Sequence, residues 1–198
     1  MTVGNPNADA RARKIAFVSH CVLNQNAKVG GIAQYPAAIR PVVDLLLEHD
    51  VGIYQMPCPE MLYLGTMRWS QVRDQYNSPM FRRHVLDLAS QILDQVEDYR
   101  RSGYRVMCFI MIDGSPVCGL RKTPQPAQAG QVLGGMVHYL PEVALGDGPG
   151  VYCEILQAEV LGRGISDIPF VSLPEVPGVG PMEEALAAIQ RALRDAAP

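Results

Sequence analysis

The apolar run Val106–Ile112 constrains the fold of this sequence more than any other stretch. It is continuously apolar, and it ends abruptly in the turn residues Asp113-Gly114-Ser115-Pro116. An apolar run of this length between turn signals is typical of a β-strand that is buried on both faces. Such strands occur in parallel sheets, because right-handed crossover connections put helices on each side of the sheet. We therefore predict an α/β fold with a mainly parallel sheet flanked by helices.

Strand-like and helix-like stretches alternate along the rest of the chain. Further strands are predicted at Ile15–Val18, Val51–Met56 and Ile168–Ser172. Helices are predicted from Pro36 to about Asp50, over Pro79–Arg101 with Gly103 as its C-terminal cap, within Gly150–Leu161, and over Met182–Ala196. The irregular connections are predicted at Ser19–Gly31, Pro57–Ser78, Arg121–Gly135 and Pro174–Pro181. A connection as long as Pro57–Ser78 is usually a lid or a binding loop.

Length, composition and net charge indicate which partners and which cellular compartment to expect. At 198 residues the chain predicts one domain, residues 15–198, preceded by a flexible polar arm, Met1–Lys14. The arm has no apolar stretch of the kind found in a secretion signal, so a cytoplasmic protein is expected. The net charge of −3 predicts no nucleic-acid partner. No apolar run approaches the length of a membrane span, so no membrane partner is expected.

Three of the five cysteines follow predicted strands. Cys21 comes after the first strand, Cys58 after the second and Cys118 after the third. The carboxyl ends of parallel strands meet at one edge of a sheet, where ligands bind. These three thiols can therefore converge, although they are distant in sequence. For Cys108 and Cys153 we predict burial as small apolar side chains.

An odd number of cysteines in a cytoplasmic protein favours thiols or metal ligands over a disulfide framework. Thiolates are soft ligands, which select zinc, copper(I) or an iron–sulfur cluster. Three protein ligands leave one position open, whereas structural zinc sites are normally closed by four. His20 could be a fourth ligand, but neighbouring side chains of an extended strand face opposite ways.

Three short motifs around these cysteines carry a family resemblance. Ser19-x-Cys21, Cys58-Pro59-Glu60 and Ser115-Pro116-x-Cys118-Gly119 resemble the three signatures of the thiouracil desulfurase (desulfidase) family. The resemblance covers most of residues 15–120, and the form of residues 20–26 is closer to a desulfidase-related branch. It implies a single Rossmann-like domain that holds an oxygen-sensitive [4Fe-4S] cluster through the three cysteines. Such a cluster can be lost or replaced in aerobic preparations.

The resemblance also implies an activity. The unique iron would bind the sulfur of a small thiocarbonyl substrate, similar to a thiolated nucleobase, and water would supply the replacing oxygen without redox change. Residues 61–69 depart from the thiouracil branch, so the substrate itself is left open, as are the oligomeric state and the role of residues 133–150.

Desulfuration needs proton transfers beside the metal. Glu60, two residues after Cys58, is the candidate acid or base, and its alternative is a surface or N-cap carboxylate. Ser115 is the second catalytic candidate, which the resemblance favours, although Ser-Pro is also an ordinary turn starter. The candidates for substrate contact are His20, Asn24, Arg68 and Asp113. Asn24 and Asp113 are also residue types that cap turns.

Two other functions use the same thiols. One is a non-catalytic protein that binds zinc or a cluster, and a zinc form would be colourless and stable in air. The other is a thiol hydrolase in which Cys118 is the nucleophile and a residue such as His138 is its base.

Overall fold

The computed structural model of the chain describes residues 9–126, 143–174 and 178–195. Its strands are β1 (Lys14–Val18), β2 (Gly52–Gln55), β3 (Arg105–Asp113), β4 (Lys122–Pro126), β5 (Val143–Asp147) and β6 (Phe170–Pro174). Four of them form one sheet in the order β2-β1-β3-β6, and every neighbouring pair in it is parallel. The predicted α/β fold with a mainly parallel sheet is therefore confirmed. The strands β4 and β5 form a separate antiparallel pair.

Helices cover both faces of the four-stranded sheet. They are α1 (His20–Leu23), α2 (Arg40–Glu48), α3 (Pro59–Leu64), α4 (Arg73–Tyr76), α5 (Pro79–Arg101), α6 (Val151–Gly162) and α7 (Met182–Asp195). Apolar side chains of α5 and α6 pack on one face with Phe17 and Phe109, and those of α2 and α7 pack on the other with Ala16 and Ile110. Strand β3 is buried from Val106 onward because its side chains enter both of these cores. This is the arrangement of helices on both faces of the sheet that the apolar run predicts, and it is consistent with the Rossmann-like domain that the resemblance implies.

The long helix α5 has the predicted bounds because local signals mark both of its ends. Ser78 precedes it, and the Ser78 hydroxyl accepts a hydrogen bond from the backbone N–H of Phe81 at 3.2 Å. Pro79 occupies the first turn, where a missing N–H costs nothing. After the last turn Gly103 has φ = +78°, the left-handed conformation that glycine adopts most easily.

Several predicted connections contain structure that their sequence does not show. The prediction that Pro57–Ser78 is irregular throughout is wrong, since α3 and α4 lie within it. Likewise, Ser19–Gly31 contains α1 and a 3₁₀ turn at Gln25–Ala27. In Arg121–Gly135 the first residues form β4, whose partner β5 is more than fifteen residues away and invisible to local patterns. Residues 127–135 of that connection lie outside the described residues.

Two elements have other boundaries in the structure than the sequence predicts. Helix α2 begins at Arg40 rather than at Pro36, with Pro41 in the first turn, where proline is tolerated. The last strand of the sheet spans Phe170–Pro174 rather than Ile168–Ser172, because pairing with β3 sets its register from Phe109 opposite Phe170.

Strand β1 begins at Lys14, so the predicted arm is one residue too long, and residues 1–8 of it lie outside the described ranges. Among the helices of those ranges, none has both the length and the apolar character that crossing a membrane requires.

Candidate functional site

Three adjacent strands bring the predicted cysteines to the carboxyl edge of the sheet. Cys58 follows β2, Cys21 follows β1 and Cys118 follows β3, and these strands are neighbours in that order. All five cysteines are within the described residues, and they form no disulfide. Burial raises the pKa of the Cys118 thiol well above its usual value, and the charges of Cys58 and Cys21 raise it further. The three thiols therefore lie at the same edge of the sheet, after neighbouring strands.

The loop that carries Cys118 is held by hydrogen bonds on several sides. The Ser115 hydroxyl oxygen accepts from the backbone N–H of Cys118 at 3.0 Å and from that of Val117 at 3.3 Å. The carbonyl of Cys118 accepts from the N–H of Ile112 at 3.1 Å. At the start of α6, the N–H of Tyr152 donates to the carbonyl of Val117 at 3.0 Å. The position of the Cys118 thiol is therefore set by β3 and by α6 together.

Asp113 holds the chain just beyond Cys118. Its side chain is 2% exposed, and its Oδ1 accepts from the backbone N–H groups of Leu120, Arg121 and Lys122 at 2.9, 2.7 and 3.2 Å. Its Oδ2 accepts from the Ser172 hydroxyl at 2.6 Å. Burial alone would raise the pKa of Asp113, but these hydrogen bonds outweigh it and lower the pKa. The structure gives Asp113 the turn-holding role that was its alternative, and substrate contact by Asp113 stays a prediction.

Cys58 is the N-cap of the short helix α3. Its Sγ accepts from the backbone N–H of Met61 at 3.5 Å, and Pro59 follows in the first turn. Burial raises the pKa of Cys58, while the N–H of Met61 opposes that change. The helix that Cys58 begins therefore offers a backbone donor to the sulfur, which is the arrangement that stabilises a thiolate.

Glu60 lies in the same turn and is paired with a buried arginine. Arg68 Nε donates to Glu60 Oε2 at 3.0 Å, with the side chains 4% and 11% exposed. The Tyr76 hydroxyl lies 3.3 Å from the same oxygen, and burial raises the pKa of Tyr76, so this hydroxyl keeps its proton and donates. Glu60 is therefore a buried ion-paired carboxylate rather than a surface one.

Arg68 also reaches the segment that follows Cys21. Its Nη2 donates to the carbonyl of Ala27 at 2.7 Å, and its Nη1 donates to the carbonyl of Gly65 at 3.3 Å. Arg68 thus connects α3, the helix that Cys58 caps (the Cys58 helix), to residues 21–27 (the Cys21 segment). Contact of Arg68 with a substrate stays a prediction.

The Cys21 segment is organised by its own polar side chains. Asn24 Oδ1 accepts from the backbone N–H of Asn26 at 3.1 Å, which is local turn chemistry of the predicted kind. Gln25 Nε2 donates to the carbonyl of Cys21 at 2.6 Å. Burial lowers the pKa of His20, and a hydrogen bond with the backbone of Met56 opposes this. Roles for Asn24 and His20 toward a substrate stay predictions.

Within residues 9–126, 143–174 and 178–195, four buried side-chain polar atoms have no hydrogen-bond partner. They are Ser19 Oγ, His20 Nε2, Gln25 Oε1 and Tyr152 OH. Three of these residues flank Cys21, and Tyr152 packs in the same apolar cluster as Cys118. Native proteins rarely leave buried polar atoms unpaired, and such atoms often mark a missing bound group. Three of the four residues lie within four positions of Cys21, so they mark the segment after β1 as part of the candidate site.

Sequence reasoning missed three of these four residues as site residues. Ser19 and Gln25 could be found from the sequence, because they lie within four residues of Cys21. Tyr152 was not, because it is more than thirty residues from Cys118 and reaches the site only through the packing of α6. Cys153 is buried as predicted, but its charge also acts on Cys118, so a fourth thiol lies close to the predicted three. His138, the predicted base of a thiol hydrolase, lies outside the described residues.

The donor set of three thiols is of the soft kind that binds zinc, copper(I) or an iron–sulfur cluster. Within the part of the chain that the structure describes, no group of three His, Cys, Asp or Glu side chains could hold one metal ion. The residues that would hold such a cluster are Cys21, Cys58 and Cys118.

Two surface cavities lie away from these cysteines. One, of about 600 Å³, lies beside Arg100, Asp167 and Arg191, near the amino ends of β3 and β6. The other, of about 680 Å³, is lined in part by Asp113 and Ser172. None of the three cysteines lines either cavity, so the candidate site rests on its thiols and unpaired polar atoms rather than on cavity size.

The fold and the site are those of an α/β protein that carries three cysteines at one edge of its parallel sheet. The chain is 34% identical over 112 residues to the uncharacterized protein MJ0003 of Methanocaldococcus jannaschii. The match covers 57% of this chain and 71% of that protein, and the chain therefore belongs to the same family. No family model and no solved structure matches the chain. The name of the relative states no activity, so relation to the thiouracil desulfurases stays a prediction.

Proposed function

We propose that the protein is an iron–sulfur-dependent desulfidase that removes sulfur from a small thiocarbonyl molecule. The observation that carries the proposal is the position of three cysteines directly after three adjacent parallel strands, at the carboxyl edge of the sheet. Soft thiolate ligands select iron–sulfur clusters, zinc or copper(I) over hard cations. The three motifs that resemble the desulfidase signatures lie at this same edge.

Cys21, Cys58 and Cys118 would hold a [4Fe-4S] cluster and leave one iron without a protein ligand. Bound there, the cluster would supply a Lewis acid for the sulfur of the substrate. The apolar cores on both sides of the sheet reach Cys118 and keep water from that side of the site. Exclusion of bulk water strengthens the electrostatic interactions that the reacting thiocarbonyl group experiences.

Two side chains of the chain suit the accompanying proton transfers. Glu60 is the carboxylate of the Cys58 helix, and Arg68 with Tyr76 holds it in one orientation. The Ser115 oxygen accepts two backbone N–H groups, which leaves its own O–H available to donate. We assign proton exchange with water or substrate to Glu60, and hydrogen-bond donation to Ser115.

Anaerobic reconstitution with iron and sulfide tests the proposal. We expect a broad absorption near roughly 400 nm and about four irons per chain, as a thiolate-bound cubane requires. The loaded protein should then release sulfide from a thiocarbonyl compound such as a thiolated pyrimidine, measured anaerobically against the cluster-free chain. Stoichiometric zinc binding without iron uptake would instead support the non-catalytic zinc protein, and loaded protein that releases no sulfide would support a non-catalytic cluster protein.

A further inference from the structure

The hydroxyl of Tyr152 is a buried hydrogen-bonding group without a partner. Tyr152 is 1% exposed, and its OH has no hydrogen-bond partner among the described residues. It is one of the largest fully buried side chains of the protein. A phenylalanine would supply the same apolar packing without the cost of an unpaired hydroxyl. The hydroxyl is therefore unexplained by the packing of the core alone.

The fold holds this ring close to Cys118. The backbone N–H of Tyr152 donates to the carbonyl of Val117, the residue before Cys118, at 3.0 Å. Gly150 packs so closely on this loop that a Cβ there would lie 2.5 Å from the carbonyl carbon of Val117. The ring itself belongs to the apolar cluster against which Cys118 and Tyr54 pack. These contacts hold the backbone of Tyr152 against the loop that carries Cys118.

We propose that Tyr152 donates a hydrogen bond to the group that Cys118, Cys21 and Cys58 hold. Tyrosine carries one O–H donor, and sulfur atoms of a bound cluster are acceptors whose hydrogen bonds tune the cluster. The Cys118 sulfur does not accept from the Tyr152 hydroxyl. In this proposal the acceptor is a sulfur atom of the bound group. The inference rests on the proposed function, since it requires a group at the three cysteines.

The first arm of the test uses the full-length chain without iron. Tyr152→Phe removes an unpaired buried hydroxyl, so its melting temperature should rise, by about 2–4 °C for a chain of this size. Tyr99→Phe is the matched control, because Tyr99 lies near the C-terminal end of α5 beside Tyr104, which directly precedes β3 at the opposite edge of the sheet from the cysteines. A melting temperature of Tyr152→Phe below that of the wild type would show that the hydroxyl already has a partner, and it would overturn the inference.

The second arm uses protein that has been loaded anaerobically with iron and sulfide. Loss of a ligand-supporting hydrogen bond typically weakens metal binding about 10–100-fold. Iron release from Tyr152→Phe to a chelator should be faster by that factor, and the reduction potential should shift to more negative values. Tyr99→Phe should match the wild type in both measurements. Equal release rates and potentials in wild type and Tyr152→Phe would overturn the inference.

The two proposals fail in different ways. Wild-type protein that takes up no iron would end the proposed function, and with it this inference. Wild-type protein that forms the cluster and releases sulfide, with an unaltered cluster in Tyr152→Phe, would end this inference alone.

Discussion

The carboxylate of Glu60 and the guanidinium of Arg68 form an ion pair whose side chains are only 11% and 4% exposed. Glu60→Gln keeps the shape of the side chain but removes its charge, which leaves the buried Arg68 cation without a counter-charge. We expect a loss of about 3–5 kcal/mol in the free energy of unfolding, measured with denaturant. The double variant Glu60→Gln with Arg68→Met should recover part of it. A loss in the single variant below about 1 kcal/mol would contradict the buried pair.

Activity gives a second measurement on the same variant. The three cysteines are untouched in Glu60→Gln, so folded protein should still load with iron. If Glu60 transfers protons, sulfide release at equal cluster loading should fall about 10²–10⁴-fold. Ser115→Ala should lose less, because a hydroxyl contributes a hydrogen bond rather than a full proton transfer. Wild-type rates in Glu60→Gln would leave Glu60 with the structural role alone.

Asp113 makes the stability of the fold depend on pH. Its folded pKa is lower than the ordinary 3.8, so the stability that it contributes is fully present above about pH 4. That contribution disappears as the pH falls through the lowered folded pKa. Asp113→Asn should cost about 1.5–3 kcal/mol at pH 7, and this difference from wild type should shrink at pH 3 and below. Denaturant unfolding at both pH values checks it, and a difference that is constant with pH would contradict the assignment.

At the scale of elements, the start of α6 and the Cys118 loop form one unit. The N–H groups of Val151 and Tyr152 donate to the carbonyls of Pro116 and Val117 at 3.2 and 3.0 Å. These bonds satisfy donors that a helix N-terminus otherwise leaves unpaired. They also require backbone to approach backbone closely at Gly150. The helix therefore determines where the Cys118 thiol lies.

Gly150→Ala tests this unit. A Cβ at Gly150 would lie 2.5 Å from both the carbonyl carbon and oxygen of Val117, so the loop must shift. We expect a loss of about 1–3 kcal/mol in the free energy of unfolding and weaker retention of iron. Gly30→Ala is the control, because nothing lies within 4 Å of its added Cβ. Equal effects of the two substitutions on iron retention would contradict a role of α6 in positioning Cys118.

At the scale of the whole molecule, the sheet topology selects which cysteines can act together. Replacement of Cys21, Cys58 or Cys118 by serine should abolish iron loading. Each of these cysteines follows a different strand, and all three lie at the same edge of the sheet. Alanine at Cys108 or Cys153 should leave the loading intact, since both side chains are buried in the apolar cores. Cys108→Ser should in addition cost about 1–3 kcal/mol, because it buries a hydroxyl.

The measurement is iron per folded chain after anaerobic reconstitution, with folding checked by circular dichroism. Loss of iron in Cys153→Ala with unchanged folding would show that Cys153 replaces one of the three, a result that its closeness to Cys118 allows.

Local signals in the sequence determined much of this fold. The unbroken apolar run of β3 identifies a strand that is buried on both faces. Ser78 and Pro79 mark the start of α5, and Gly103 marks its end. The cysteines that follow β1, β2 and β3 were predictable for the same reason, because parallel strands bring their carboxyl ends to one edge.

Only the tertiary structure decided the contacts between segments distant in sequence. The hydrogen bond of Arg68 to Ala27, the pairing of β4 with β5, and the approach of Tyr152 to the Cys118 loop leave no local pattern. Periodicity and capping report on neighbours within one or two turns of chain. Contacts across tens of residues depend instead on how the helices pack on the sheet, and that packing holds Tyr152 against the loop that carries Cys118.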